Sequence, residues 1–403
     1  MKTKISLIAV LLLFAGFHQA AASPADQQKL AAANNGFAFK LLKQLAKDQP
    51  AANIFISPYS ASTVLQMAGS GAAGQTKIEM QQVLGTTGLS SDTVSAANKE
   101  ITQSLNSGNT NIILNTANAI WYRQDAHVKP EFMARNQQFF SATVAPLNFA
   151  DPHSVDVINS WASEKTHGKI SRIADGMIDQ VYTRLFLANA VYFKGRWADP
   201  FDAKDTKDRP FHLRSGNQKD VPMMTQTKTF TYRRGTGYQA VRLPYQDENL
   251  AMYVFLPDTN SSPEKLLGIM NGDTWQRVTK PGFSEKEGMV VLPRLKLEYS
   301  VELNQPLQAL GMKTAFDMVK ADFSGIAPQL YISAARQKMF VEVKEEGTEA
   351  AAVTGIAVMT ESTAMPLPNP FQMIVDRPFL FLIEDKQTGT ILFTGVMFDP
   401  ETN

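Results

Sequence analysis

The stretch "EEGTEAAAVTGIAVMTESTAMPLPNP", Glu345 to Pro370, decides how the chain is read. Its first part is small and apolar enough for a buried strand, and its proline-rich end reads as loop. Side chains alternate faces along a strand. Thr348, Ala350, Ala352, Thr354, Ile356 and Val358 therefore share one side, and none of them is charged. The opposite row, Gly347, Glu349, Ala351, Val353, Gly355, Ala357 and Met359, carries the charge. No proline interrupts Glu345–Met365, so this backbone can supply an unbroken ladder. Two plainer readings stand beside an inserting strand. One is a short helix capped by Thr348 that stops at Gly355 after barely two turns; the other is an ordinary edge strand. The pattern alone leaves all three open.

The flanks read more simply. "KMFVEVKEE" before the stretch predicts a strand, and "RPFLFLIEDKQTGTILFTGVMFDP" after it predicts a hairpin pairing Phe379–Glu384 with Thr390–Phe398. "NIILNTANAIWY", "RLFLANAVYFKG", "LAMYVFLP" and "GMVVLPRLKLEYS" predict further strands. "GFAFKLLKQLAK" spaces Phe37, Leu41, Leu42 and Leu45 as one face of a helix. "NIFISPYS" predicts a short strand running into a helix, with Ser57 as cap and Pro58 in the first turn. "SVDVINSWASEKTHGKI" predicts a helix ending at Gly168. Strands and helices mix without a regular alternation, which favours an α+β fold. No linker divides the chain, so residues 23–403 are expected to form one domain.

The chain of 403 residues is 44% hydrophobic and carries 39 basic against 38 acidic residues. A formal charge of +1 offers no basic excess for nucleic acid. Without cysteine there are no disulfides, thiolate metal sites or thiol nucleophiles. The start, "MKTKISLIAVLLLFAGFHQAAASPADQQ", sets Lys2 and Lys4 before an apolar run from Ile5 to Phe17 and then Ala20–Ala22. That is the order of an export signal, residues 1–22, cleaved near Ala22 to leave a secreted or periplasmic protein. Roughly 13 apolar residues fall short of the ~20 that span a bilayer, so no membrane anchor is expected.

Catalytic signatures are missing. His127, His153, His167 and His212 occur singly, with no metal-spaced pair, and no metal site is expected. There is no G-x-S-x-G elbow and no phosphate-cradling glycine loop. "SPEK" at Ser262–Lys265 meets S-x-x-K only in form, and reads as a surface turn. Ser57 and Ser60 are better explained as a helix cap and a buried hydroxyl than as nucleophiles, and Trp197 as packing than as a ligand platform. No enzyme activity is expected.

One family gathers these pieces. "FVEVKEEGTEAAA" resembles the hinge of the reactive loop of the serpins, inhibitors of serine proteases. "NIFISPYSASTVLQMAGSGAAGQT", "INSWASEKTHGKI", "LFLANAVYFKGRWADPF", "VPMM", "LPY", "LPRLKLEYSVELNQPLQALGM", "ADFSGI" and "DRPFLFLI" resemble other serpin motifs in family order, over nearly the whole chain after residue 22. The resemblance implies a serpin fold: three β-sheets, eight or nine α-helices and an exposed reactive-centre loop at about 345–370. It implies a suicide substrate. A target serine protease cuts the loop and is held as an acyl-enzyme while the freed segment inserts into the main sheet, a known case of strand addition that releases stored strain. About fifteen residues at ~3.3 Å each would carry the protease roughly 50 Å. Ladder bonds netting ~1 kcal/mol each would release on the order of 10 kcal/mol.

By resemblance the hinge is Glu345, Glu346, Gly347, Thr348, Glu349, Ala350, Ala351 and Ala352, with Gly347 allowing the bend and Thr348 passing first from surface to interior. Trp197, Asn189, Ser57, Ser60 and Gln337 fall in the breach, where the loop first enters, and in the shutter beneath it. Gln337 stands where many serpins have histidine, and is expected to hydrogen-bond Asn189. Counting the family's usual spacing from Glu345 puts the scissile bond at Glu361–Ser362. Eighteen residues separate Ser362 from Phe379 inclusive, a long span, so Val358, Met359 and Thr360 stand as alternatives. The segment after the second helix has only Lys77 and Lys99, so a heparin-type cofactor is not implied and none is expected. The expected partner is a serine protease, with cysteine proteases left open. The protein is expected to be a monomer with a liability to loop–sheet polymers. A non-inhibitory serpin, carrier or chaperone, is the alternative, and a hydrolase the remote one.

Overall fold

Phe37, Leu41, Leu42 and Leu45 lie on the buried face of a long first helix, α1 (Pro24–Asp48), whose N-cap Ser23 accepts a hydrogen bond from the Asp26 amide. The computed structural model describes residues 22–106, 112–246, 249–348 and 370–400. The expected signal, apart from Ala22, lies outside these residues, as do Glu349–Ala352 and Val358–Ser362. Eight more α-helices follow among the described residues: α2 (Pro58–Gly69), α3 (Gly74–Leu84), α4 (Ser91–Asn106), α5 (Pro130–Phe140), α6 (Ser154–Lys165), α7 (Pro263–Ile269), α8 (Gly272–Thr274) and α9 (Asn304–Ala309).

The main sheet runs in the order β10 (Leu295–Glu302), β11 (Ile332–Lys344), β12 (Gly347–Thr348), β4 (Leu185–Arg196), β2 (Ile112–Arg123), β3 (Thr143–Leu147). A second network runs β1 (Ile54–Ile56), β15 (Thr390–Met397), β14 (Phe379–Asp385), β8 (Leu250–Pro257), β7 (Tyr238–Pro244), β6 (Gln218–Gly235), β9 (Ser284–Pro293), β13 (Phe371–Ile374), with β5 (Lys207–His212) also on β6. The third sheet of the expected fold is the group β5, β6, β9 and β13. It is joined to the second because β6 is long enough to serve both: Gln218–Met223 pairs with β5, Met223–Tyr232 with β9, and Thr231–Gly235 with β7.

The apolar residues of strands β2 and β4 fall on both faces because the main sheet is covered on both sides where they are buried. One face joins the large core through Ile120, Leu187, Val191 and Phe193. The other, with Trp121, Phe186, Ala188 and Ala190, packs on Ile158 and Ala162 of α6. Trp121 meets Trp161 edge-on at 5.0 Å.

Some boundaries differ from the sequence pattern: β11 stops at Lys344, where "KMFVEVKEE" predicts strand to Glu346, because Glu345 and Glu346 turn the chain back. Helix α6 stops at Lys165, short of Gly168. The Thr166 hydroxyl donates to the Ala162 carbonyl (2.7 Å) and accepts from the Ile170 amide (3.0 Å). Gly168, at φ +80°, closes the end with a bond from its amide to the Ser163 carbonyl. "GMVVLPRLKLEYS" is two strands in different sheets, broken at Arg294.

Candidate functional site: a hinge seated between two strands

Strands β4 and β11 run parallel and pair directly, Leu185–Tyr192 against Ile332–Phe340. Above that run they part. Val343 and Lys344 pair instead with Thr348 and Gly347, which pair in turn with Gly195 and Arg196. β12 is thus a two-residue wedge, antiparallel to both neighbours. Glu345 and Glu346 form the turn that brings it back beside β11.

The wedge needs its residue types. Gly347 sits at φ +144°, and a Cβ there would lie 2.1 Å from the Gly195 carbonyl oxygen, so only glycine fits. Thr348 is fully buried, its hydroxyl 2.9 Å from that of Tyr245. The resemblance predicts Thr348 at the surface, waiting to enter first. The structure corrects this: Thr348 already occupies the sheet, because the gap above Phe340 and Tyr192 offers it a hydroxyl partner and two strand edges.

Four side chains hold the turn. Trp197 donates from its amide to the Glu346 carbonyl (2.9 Å) and from its indole to the Lys344 carbonyl (3.0 Å). Its ring stacks on Tyr245 with centroids 4.6 Å apart. Burial pushes the Tyr245 hydroxyl well up, against the lowering effect of its bond with Thr348. Glu345 is only 4% exposed, and its carboxylate accepts from Arg294 Nε (2.8 Å), Arg294 Nη2 (2.5 Å) and the Thr206 hydroxyl (2.6 Å). Burial by itself would raise its pKa, but the Arg294 and Thr206 bonds together hold it below the ordinary glutamate value.

Lower down, where β4 and β11 touch, a buried amide network ties them to α2. Gln337 on β11 accepts from the Ser57 amide (3.0 Å) and donates to the Ser57 carbonyl (2.9 Å) and to Asn189 Oδ1 on β4 (2.5 Å). Asn189 donates onward to the Ser60 hydroxyl and to Asn118 Oδ1 (2.7 Å). Ser57 caps α2, its hydroxyl accepting from the Ser60 amide (3.4 Å) and donating to the Leu392 carbonyl (2.8 Å). Both serines have structural partners.

The structure therefore brings Trp197 together with the hinge, and Ser57, Ser60, Asn189 and Gln337 with one another. Tyr245, Arg294 and Thr206 escape the sequence reading. "LPY" and "LPRLKLEYS" contain the first two, yet nothing local marks Tyr245 as a socket for Thr348 or Arg294 as the partner of a glutamate fifty-one residues away. Ser262 of "SPEK" caps α7, accepting from the Lys265 amide (3.3 Å). Among the described residues no group of three or more His, Asp or Glu side chains is placed to hold a metal, and no helix is long and apolar enough to cross a membrane.

Comparison with known proteins finds the same family over most of the chain. The serpin family profile, described as serine protease inhibitor, matches residues 32–400. The chain is 38% identical to leukocyte elastase inhibitor of Sus scrofa over 93% of this chain and 100% of that protein. It is 39% identical to serpin B6 of Pongo abelii over 92% and 99%. Among solved structures, the thermophilic serpin tengpin in its native state superposes with a TM-score of 0.86 at 26% identity, covering 94% of this chain and 96% of that one. Native protease nexin-1 with heparin superposes with a TM-score of 0.82 at 30% identity, covering 94% and 100%. The protein belongs to the serpin family of serine protease inhibitors.

Proposed function

We propose that this serpin is a suicide-substrate inhibitor of serine endopeptidases and not an enzyme: a protease cuts its loop, and the acyl-enzyme is trapped as the freed segment becomes a strand between β4 and β11. The observation that carries the reading is the wedge. Gly347 and Thr348 already lie antiparallel between two parallel strands, so further insertion continues a ladder whose first rungs exist. Glu349–Ala352 would follow Thr348 into the sheet, with small side chains throughout apart from Glu349. Insertion has to break the direct pairing of Ile332–Phe340 with Leu185–Tyr192, and Gln337, Asn189, Ser57 and Ser60 form the seal it must open.

The scissile bond is assigned to Glu361–Ser362, with Val358, Met359 and Thr360 as alternatives. Residues 23–403 act as one domain, in keeping with a large core that draws on segments from Leu30 to Phe398. Export with cleavage after Ala22 would leave Ser23, the N-cap of α1, as the first residue. The working form is a monomer, and loop–sheet polymers are its failure mode.

The test is to mix the full-length mature protein with glutamate-preferring, elastase-like, chymotrypsin-like and subtilisin-like serine proteases and with a papain-like cysteine protease. A denaturant-resistant complex is expected, releasing a C-terminal peptide that begins at Ser362. Cleavage of the loop by every protease with no covalent complex would overturn the inhibitory mechanism and favour a carrier or chaperone.

A further inference from the structure

The direct pairing of β4 with β11 ends at Leu185 and Ile332, and a second set of polar bonds lies just beyond it. The Ser333 hydroxyl accepts from the Arg184 amide (2.8 Å) and donates to the Tyr182 carbonyl (3.4 Å). The Tyr331 hydroxyl donates to the same carbonyl. The β11 register slips between Ile332 and Ala334, so Ser333 lies opposite no β4 residue and its hydroxyl serves the end of the strand instead.

Both sides of this contact are braced. Asn304 of α9 donates to the Ser333 carbonyl (2.8 Å) and accepts from the Ala335 amide (2.9 Å). Across from it, Asp179 Oδ1 accepts from the amides of Val181 and Tyr182 (both 2.8 Å), and the Thr183 hydroxyl accepts from the Asp179 amide (2.9 Å). Arg123 and Arg184 both donate to the Val181 carbonyl, at 3.0 and 2.7 Å. The turn that leads into β4 is therefore held in one shape, and the feet of the two strands are tied through it.

Strand register fixes when an entering strand meets this tie. Thr348 pairs with Gly195, so in a continued antiparallel strand the tenth residue beyond Thr348 comes opposite Leu185, ten before Gly195. A strand fitted there doubles the local spacing from ~4.8 to ~9.6 Å. The bond between Arg184 and Ser333 cannot span that gap. The upper rungs can form with the tie intact; the last cannot.

Resting on the inhibitory reading above, we propose that Tyr331 and Ser333 are positioning residues of a lower latch. They hold the foot of β4 to the foot of β11 until the entering strand reaches its final rungs. The latch sets the rate of the last part of the protease's travel, and with it the fraction of protease that escapes by hydrolysis. Neither residue touches the reacting atoms.

The test runs that travel against a chemical clock. Hydroxylamine attacks the acyl-enzyme carbonyl, forms the hydroxamate and returns the proton and electron pair to the protease serine, so it shortens the time allowed for insertion. The readout is the hydroxylamine concentration that halves the yield of covalent complex on a denaturing gel, with a protease that the parent protein traps. Tyr331→Phe and Ser333→Ala should each raise it about fivefold, the rate equivalent of one net hydrogen bond. Ser333→Thr keeps a hydroxyl and should match the parent. Arg184→Cys combined with Ser333→Cys should lose trapping when oxidised and regain it on reduction, and the chain has no other cysteine to interfere. A lowered denaturant midpoint with an unmoved hydroxylamine concentration would overturn the latch, as would trapping by the oxidised pair. Should that pair not oxidise, the single variants still decide. A parent that forms no complex with any protease overturns the inhibitory reading and this proposal together, whereas a parent that traps beside unmoved variants overturns the latch alone.

Discussion

The same two strands, β4 and β11, meet in two ways. Above Phe340 and Tyr192 they are held apart by a glycine and a threonine seated in tailored sockets. Below, they pair directly under a buried amide network. The upper region shows that a separated pair of strands is stable when its ladder and its one hydroxyl are satisfied. The lower region shows what resists spreading the gap: polar side chains that bond across the boundary and to α2, and that no water can replace while they are buried.

The contrast is most severely tested by Thr348→Arg. A guanidinium at a fully buried position would cost several kcal/mol, enough to drive the wedge out. Trapping should be lost entirely, every encounter ending as cleaved inhibitor and free protease on a denaturing gel. A retained covalent complex would mean that the upper gap is not where insertion begins.

Gln337→Leu comes next. It strands the Ser57 amide, the Ser57 carbonyl and Asn189 Oδ1, for on the order of 4 kcal/mol in all at roughly 1–3 kcal/mol per buried orphan group. The denaturant midpoint should fall, and concentration-dependent oligomers should form faster on heating. An unchanged midpoint with unchanged oligomer formation would remove the amide network from its role as seal.

Tyr245→Phe deletes only the hydroxyl that meets Thr348 and keeps the ring on Trp197, so about 1 kcal/mol is expected. It should appear as faster exchange at Thr348 with little change in global stability. A drop in global stability as large as that of Gln337→Leu would show that the two regions are one unit.

The smallest effect is acid-dependent. Glu345 has a folded pKa below its ordinary value, so its contribution is complete above the ordinary glutamate range. It is lost as pH falls through the lowered folded value. Exchange at Glu346–Thr348 should therefore speed up below the ordinary range in the parent protein. Glu345→Gln should lack that step, and a step that survives the substitution would assign it to another carboxyl.

What could be read in the sequence follows from how local its cause is. Ser57 and Pro58 announce the start of α2 because a cap acts within three residues. The hairpin of β14 and β15 is legible because its pairing closes over a short polar turn. Gln337 and Asn189 are joined in advance only through the family resemblance, since 148 residues separate them. Glu345 beside Arg294 and Thr348 beside Tyr245 are tertiary facts with no local trace. A buried glutamate looks in sequence like any charged residue in a turn, and alternation alone does not say whether Thr348 has already entered the sheet.

The parallel pairing of β4 and β11 has a structural corollary. β11 is antiparallel to β10 and β4 antiparallel to β2, so the β4–β11 contact is a stacking fault in strand direction, like a missing layer in a crystal. A single extra strand running the opposite way restores the alternation on both sides at once, with no other strand reversed. The sheet thus carries in its order a vacancy of definite polarity, and Gly347 and Thr348 have begun to fill it.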